Sequence, residues 1–217
     1  ASPVFSVQEV VVRGLDGPVA ERIAARLAWR RGANVLAVES RDVVAATAGE
    51  PRVLQAQLVR RLPSTLEVQV LPRDPVAQVA VGERFWEVDG QGVLLGAAQR
   101  PGALPVITGA VQPGEALAPA RPGPRVLVEA ADLVDKLLPV LGRRLAGVHI
   151  DPSGERWVYL VGGSVIRWGG PGSGGAASSS PDAQRLEVLA MLLEQLPLDR
   201  PFEADLRDPG RATWKPR

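Results

Sequence analysis

The stretch RRLPSTLEVQVLPR, residues 60–73, decides how the N-terminal part of the chain folds. Pro63-Ser64 supplies a turn, after which Leu66, Val68 and Val70 alternate with Glu67 and Gln69, the period of a half-buried strand. Working outward, Val53 to Arg60 reads as the strand entering the turn, and Phe5 to Val12 as a further strand. Between them Asp16 and Pro18 announce a helix, in which Val19, Ile23 and Leu27 recur on one face until Gly32 ends the run. Ser40, as N-cap before Val43 and Val44, opens a shorter helix ending near Gly49 and Pro51. So few strands cannot bury an apolar face alone. The expected unit, in the order β-α-α-β-β, therefore lays both helices on one side of its sheet. It ends near Arg73, giving a first domain over residues 3–73 and a second over 74–217.

The second domain reads as mostly antiparallel β structure with flanking helices, so the fold class is α+β. Ala77, Val79 and Val81 lead into Phe85 to Val88, the turn Asp89-Gly90, and Val93 to Leu95. Gly109 to Pro124 reads as a long surface loop before an apolar helix from Val126 to Leu141, which Pro139 is expected to kink or end early. Strands around Val148 to Ile150, Trp157 to Val161 and Val165 to Trp168 form a meander, with turns at Pro152-Ser153-Gly154 and Gly162-Gly163. The Gly/Ser-rich run Gly169 to Ser180 is expected to be flexible. Ser180 and Pro181 then open a helix with Leu186, Leu189, Leu193 and Leu196 on one face, and Phe202 to Leu206 reads as the last strand.

Composition narrows the function classes. With 25 basic and 24 acidic residues scattered along the chain, there is no clustered basic face for nucleic acid. The absence of Cys removes disulfides, thiolate metal sites and thiol catalysis together. No apolar run approaches the roughly 20 residues that cross a bilayer. The chain begins Ala1-Ser2-Pro3 and enters a strand pattern almost at once, from which we expect a segment upstream to have been removed.

No set of residues asks for catalysis, metal or cofactor. His149 is the only histidine and lacks ligand-like neighbours, so a packed strand histidine is expected. Ser164, His149 and Asp151 make a triad on paper, but Gly162-Gly163-Ser164-Val165 is not a nucleophile elbow and reads as a turn. The Gly-rich run from Gly169 has no Lys-Ser/Thr for phosphate. Asp132 with Asp135, and Glu203 with Asp205, read as solvated carboxylates rather than a glycosidase pair. Trp29, Trp86, Trp157 and Trp168 suggest core or rim positions before a sugar-stacking groove.

Taken in order, the separated segments Phe5–Gly14, Gly32–Val35, Pro51–Val68, Pro75–Ala77, Asp89–Val93, Leu104–Gly109 and Asp205–Arg207 resemble the FtsQ/DivIB family of bacterial cell-division proteins. Phe5 to Gly14 is similar to the family's first POTRA strand, and Gly32-Ala33-Asn34-Val35 to the link between the POTRA helices. Pro51-Arg52-Val53 through Leu62-Pro63-Ser64-Thr65-Leu66-Glu67-Val68 is the most specific match. Pro75-Val76-Ala77, Asp89-Gly90-Gln91-Gly92-Val93, Leu104-Pro105-Val106-Ile107-Thr108-Gly109 and Asp205-Leu206-Arg207 resemble successive β-domain motifs. Pro72 departs from the pattern, as does the Gly/Ser insertion.

The resemblance implies an N-terminal POTRA domain, a β domain, and an absent N-terminal tail and single transmembrane helix, with this part extracytoplasmic at the division septum. It implies a non-enzymatic scaffold that binds FtsL and FtsB/DivIC-type proteins and acts on septal cell-wall synthases indirectly. A POTRA-bearing accessory module for polypeptide transport or barrel assembly is the alternative, and a secreted hydrolase of cell-wall glycans stands third. The family's partner-binding surface maps to Arg207, Asp208, Pro209, Gly210, Thr213 and Trp214. If the last strand lies at a sheet edge, its free backbone groups can take a partner strand. Pro209-Gly210 would turn into that edge, Arg207 would pair with a carboxylate and Trp214 would anchor the interface. In the plainer reading Arg207 pairs within the domain and Trp214 belongs to a frayed tail.

Overall fold

The computed structural model describes residues 5–98, 102–112, 114–170, 181–196 and 200–217. The chain divides into two compact units, Ala1–Asp74 and Pro75–Arg217, and its fold is α+β, with helices and a large, mostly antiparallel sheet.

In the first unit β1 (Glu9–Arg13), α1 (Gly17–Leu27), α2 (Ser40–Thr47), β2 (Val53–Arg61) and β3 (Thr65–Pro72) follow in the order β-α-α-β-β. The sheet order is β1-β3-β2, parallel between β1 and β3 and antiparallel between β3 and β2. The alternation in residues 66–70 is realised directly. Leu66, Val68 and Val70 are buried, the last two packing with Ile23, Leu27 and Val43 of the helices, while Glu67 and Gln69 take the other face.

Two local expectations are corrected. The first strand starts at Glu9 and not Phe5, because the preceding residues pair with the loop after α1. Ser6 bridges Asn34, Val7 N–H donates to Ala33 O at 2.9 Å, and Gly32 N–H donates to Val7 O at 2.9 Å. The N-cap of α2 is Glu39, one residue before Ser40. Its carboxylate accepts from the third helical backbone N–H, while Asp42 accepts from Glu39 N–H at 2.9 Å, a capping box built from two acids.

The second unit contains β4 (Ala77–Val81), β5 (Arg84–Val88), β6 (Leu94–Ala98), β7 (Val106–Thr108) and α3 (Arg125–Leu141). After these come β8 (Leu145–Ile150), β9 (Arg156–Leu160), β10 (Val165–Arg167), α4 (Pro181–Leu193), β11 (Phe202–Asp205) and β12 (Thr213–Pro216). They form a nine-stranded sheet in the order β12-β11-β10-β9-β8-β7-β4-β5-β6. Leu127, Ala130, Val134, Leu137 and Leu141 recur at helical spacing and bury one stripe of α3 against the sheet. Val79, Ile107, Val148, Val158, Ile166 and Ala204 lie at matching positions across successive strands and are all fully buried on that side.

Pro139 does not end α3 early; the helix runs on to Leu141 and stops at Gly142, φ +55. A proline here removes one bond, that to the Asp135 carbonyl. Asp135 and Pro139 are both exposed, so the lost bond lies on the solvent side of the helix, while buried Leu137 and Leu141 hold the last turn down. The short β7 was not read from the pattern, although its three residues join two parallel neighbours, β4 and β8. The expected flexible run lies, from residue 171 to 180, outside the described residues, and so does Ser180 as a helix opener.

Candidate partner-binding edge

The C-terminal end of the sheet is built by a crossover. β10 and β11 are parallel, so the chain between them must return along the sheet, and α4 makes that return. Phe202 N–H donates to Ser164 Oγ at 3.1 Å as β11 begins, and Leu206 N–H donates to Arg167 O at 2.9 Å as it ends. The strand order places β12 outermost, paired antiparallel with β11 from Asp205↔Thr213 to Phe202↔Pro216. This corrects the reading of Phe202 to Leu206 as the last strand. The four residues of β12 are all exposed, so no apolar alternation announced them.

Between the two strands the chain turns through a 3-10 helix, Pro209–Arg211, whose N-cap Asp208 accepts from Gly210 N–H at 3.1 Å. The expected Pro209-Gly210 turn is thus present, held by an Asp208 side chain rather than by glycine alone. Thr213 and Trp214 lie in β12, with Trp214 40% exposed and opposite Ala204. Thr213 and Trp214 share a shallow depression with Arg167, Glu203, Asp205 and Lys215, and a second depression beside it is lined by Asp205, Arg207, Asp208, Arg211 and Thr213. Of the six residues singled out from the sequence, Arg207, Asp208, Thr213 and Trp214 line these two depressions, and Pro209 and Gly210 belong to the turn between the strands.

Arg207 is engaged within the domain. Its Nη2 lies 2.6 Å from Asp205 Oδ2, its Nε donates to both carboxylate oxygens, and Glu155 Oε1 is 3.9 Å away. The Arg207 bond holds the Asp205 carboxyl below the usual carboxylate range, and Asp205 raises the guanidinium in turn. The pair is about half exposed, a setting in which ion pairs contribute less than about 1 kcal/mol. Giving it up to a partner carboxylate is energetically cheap.

Sequence reasoning missed the residues that place this surface. Asp182, in the first turn of α4, accepts two bonds from Arg156 at 2.9 Å, one from Trp168 Nε1 at 2.9 Å and one from Arg185 Nη1 at 2.9 Å. Arg185 is fully buried, and its other nitrogens donate to Leu206 O at 3.2 Å and Arg207 O at 3.3 Å, where β11 leaves the sheet. Burial pulls the Arg185 guanidinium below its ordinary value, against Asp182, which raises it. The available signal was Pro181-Asp182 at a helix start, with an Arg one turn on among leucines.

The discarded chemistry stays dispersed. His149 Nδ1 meets Thr108 Oγ1 at 2.8 Å, Asp151 accepts from the Ser153 and Glu155 N–H groups of its own turn, and Ser164 Oγ is taken by Phe202. Among the described residues no group of three His, Asp or Glu is arranged to hold a metal ion, and no helix is long and apolar enough to cross a membrane.

Among the described residues this is a two-unit α+β chain whose larger unit carries an exposed edge strand, a geometry open to strand addition. The family model for the C-terminal region of cell division protein FtsQ/DivIB matches residues 77–207, ending at the strand exit that Arg185 clamps. The chain belongs to the FtsQ/DivIB family of cell-division proteins. It is 25% identical over 194 residues to the cell division protein FtsQ of Mycobacteroides abscessus, covering 89% of this chain and 57% of that one. To the FtsQ of Chloroflexus aurantiacus it is 30% identical over 158 residues, 73% of this chain and 56% of that one. It thus spans little more than half the length of these relatives. The major extracytoplasmic domain of DivIB from Geobacillus stearothermophilus overlays 58% of this chain at 15% identity and a TM-score of 0.34, too loosely to bear on the argument.

Proposed function

We propose that this chain is the extracytoplasmic part of a membrane-anchored division scaffold, acting without catalysis at the septum. Its first unit is a POTRA domain, and its second binds FtsL and FtsB/DivIC-type proteins and through them helps recruit and regulate septal cell-wall synthesis. The observation that carries the reading is β12, an outermost strand whose four exposed residues include Trp214 and which is adjoined by Arg207. Strand addition at such an edge takes affinity from backbone bonds and selectivity from the flanking side chains.

The test is binding of the purified soluble segments of an FtsL-type and an FtsB-type protein to this chain, measured by calorimetry. Trp214→Ala should weaken binding by about thirtyfold or more, the scale of a central aromatic anchor. Arg207→Glu should weaken it several-fold, and both variants should keep the wild-type melting temperature to within a few degrees. Unchanged binding by both variants would remove β12 as the site. Absence of binding by the wild-type chain would remove the partner assignment.

A further inference from the structure

The hydrogen bonds of β12 determine which of its backbone groups face outward. Arg217 N–H donates to Pro201 O at 3.0 Å. In an antiparallel pair, hydrogen-bonded and non-hydrogen-bonded residue pairs alternate. Counting back from 217 along the observed register, Lys215↔Glu203 and Thr213↔Asp205 turn their backbone groups inward to β11. Trp214 and Pro216 turn theirs outward. Pro216 has no N–H, so over Thr213–Pro216 the free edge offers one donor, Trp214 N–H, and two acceptors, the Trp214 and Pro216 carbonyls.

We infer that Lys215 and Pro216 guard this edge against pairing with a second copy of itself, reserving it for a foreign extended segment. This rests on the partner reading above for the identity of that segment, but the guard itself is independent of it. Two copies of β12 meeting antiparallel about a dyad at Lys215 would exchange four backbone bonds between residues 214 and 216. Proline abolishes two of them. The same register sets Lys215, whose side chain is 70% exposed and whose ammonium lies 3.3 Å from the Glu203 carboxylate, directly against its twin; Glu203 offsets part of the like-charge repulsion, so the missing Pro216 N–H is the larger obstacle. A dyad at Trp214 fares no better, because its outer bonds again need the missing Pro216 N–H. A foreign strand escapes both obstacles. It needs only an acceptor and a donor opposite Trp214 and a donor opposite Pro216, and a carboxylate beside Lys215 turns repulsion into attraction. Lysine and proline on an edge strand are established ways of blocking unwanted pairing.

The experiment is sedimentation velocity of the purified chain over a wide concentration range. Wild type should remain monomeric. Lys215→Thr with Pro216→Val should dimerise at least about twenty-fivefold more tightly than wild type, the product of two symmetry-related hydrogen bonds worth roughly fivefold each. Adding Trp214→Pro to that pair removes the other outward donor and cuts the four possible bonds back to the two of the wild-type edge, so it should return the chain to monomer and show that the dimer forms through β12. A double variant that associates no more tightly than wild type overturns the guard, as does a dimer that survives Trp214→Pro. The partner segments of the preceding section are absent from this assay, so its failure leaves their binding to be judged separately.

Discussion

Replacing Asp182 by Asn keeps the shape of the side chain and removes the charge on which two buried arginines converge. In the native fold that carboxylate accepts four hydrogen bonds at 2.9 Å, and the Arg156 and Arg185 side chains are only 6% and 0% exposed. Breaking a buried pair by neutralising one member usually destabilises by about 3 to 5 kcal/mol, because the remaining charge stays behind without compensation. Asp182 keeps some contact with solvent, 18%, so the lower end applies, about 3 kcal/mol. For a domain of this size that is a melting-temperature drop of roughly 8 to 10 °C. The pH dependence has a definite sign. Burial drives the Asp182 carboxyl up, the bonds and charge of Arg156 with the bonds from Trp168 and Arg185 outweigh it, and the folded value ends below the ordinary one. The stabilisation is therefore complete above the unfolded value of about 3.9 and is lost as the pH falls through the lower folded value. Melting followed by calorimetry should show a constant gap between wild type and Asp182→Asn from pH 7 to pH 5, narrowing below about pH 4. A variant melting within about 2 °C of wild type at pH 7, or a gap that does not narrow in acid, would refute this account of the cluster.

In the first unit, Glu50→Gln should speed hydrogen exchange of the α1 and α2 amides by about fivefold, the equivalent of roughly 1 kcal/mol. Glu50, with its side chain 3% exposed, accepts from Arg22 at 2.8 and 3.2 Å and lies 3.1 Å from Arg26. The Arg22 bond is the largest cause of its lowered carboxyl value, so this stability is present above about pH 4.3 and lost as the pH falls through the folded value; exchange unchanged at pH 7 would remove the role. In the second unit, Gly109→Ala should lower the melting temperature by about 5 °C or more, since φ is +77° and a Cβ would run into the Ile150 carbonyl oxygen. Gly82→Ala, at φ +60° with open space around it, should cost clearly less, and equal effects would mean that backbone strain alone decides both.

What the sequence made legible follows from periodicity. Strands with one buried face, such as β3, and helices with one apolar stripe, such as α3, leave a record at every second or every third and fourth residue. β7 and β12 leave none. β7 is three residues long, and β12 is exposed throughout, so burial imposed no alternation on either. The edge residues were reached through resemblance to the family, not through pattern. The buried cluster was hidden for another reason: Arg156 lies on a different element, far along the chain from Asp182 and Arg185, and an arginine in a leucine-rich helix reads as its solvent face.

That hidden cluster bears on why an edge strand of four residues holds its place. Among the described residues β12 has one neighbour, β11, and no core side chain of its own, so main-chain bonds to β11, the Lys215–Glu203 pair and the short 3-10 turn are what fix it. A strand supported on one side frays unless the chain leading into it is held. Arg185 holds it, spending two of its donors on the carbonyls of Leu206 and Arg207 just where the chain quits the sheet. An apolar residue at 185 would pack as well and would leave those two carbonyls without their donor. Asp182 then serves to keep a fully buried guanidinium charged and aimed, against the like charge of Arg156 that shares the same carboxylate. Preorganising the edge in this way removes ordering entropy from any later strand addition. Backbone groups face the partner, and buried charges behind them set where that backbone lies.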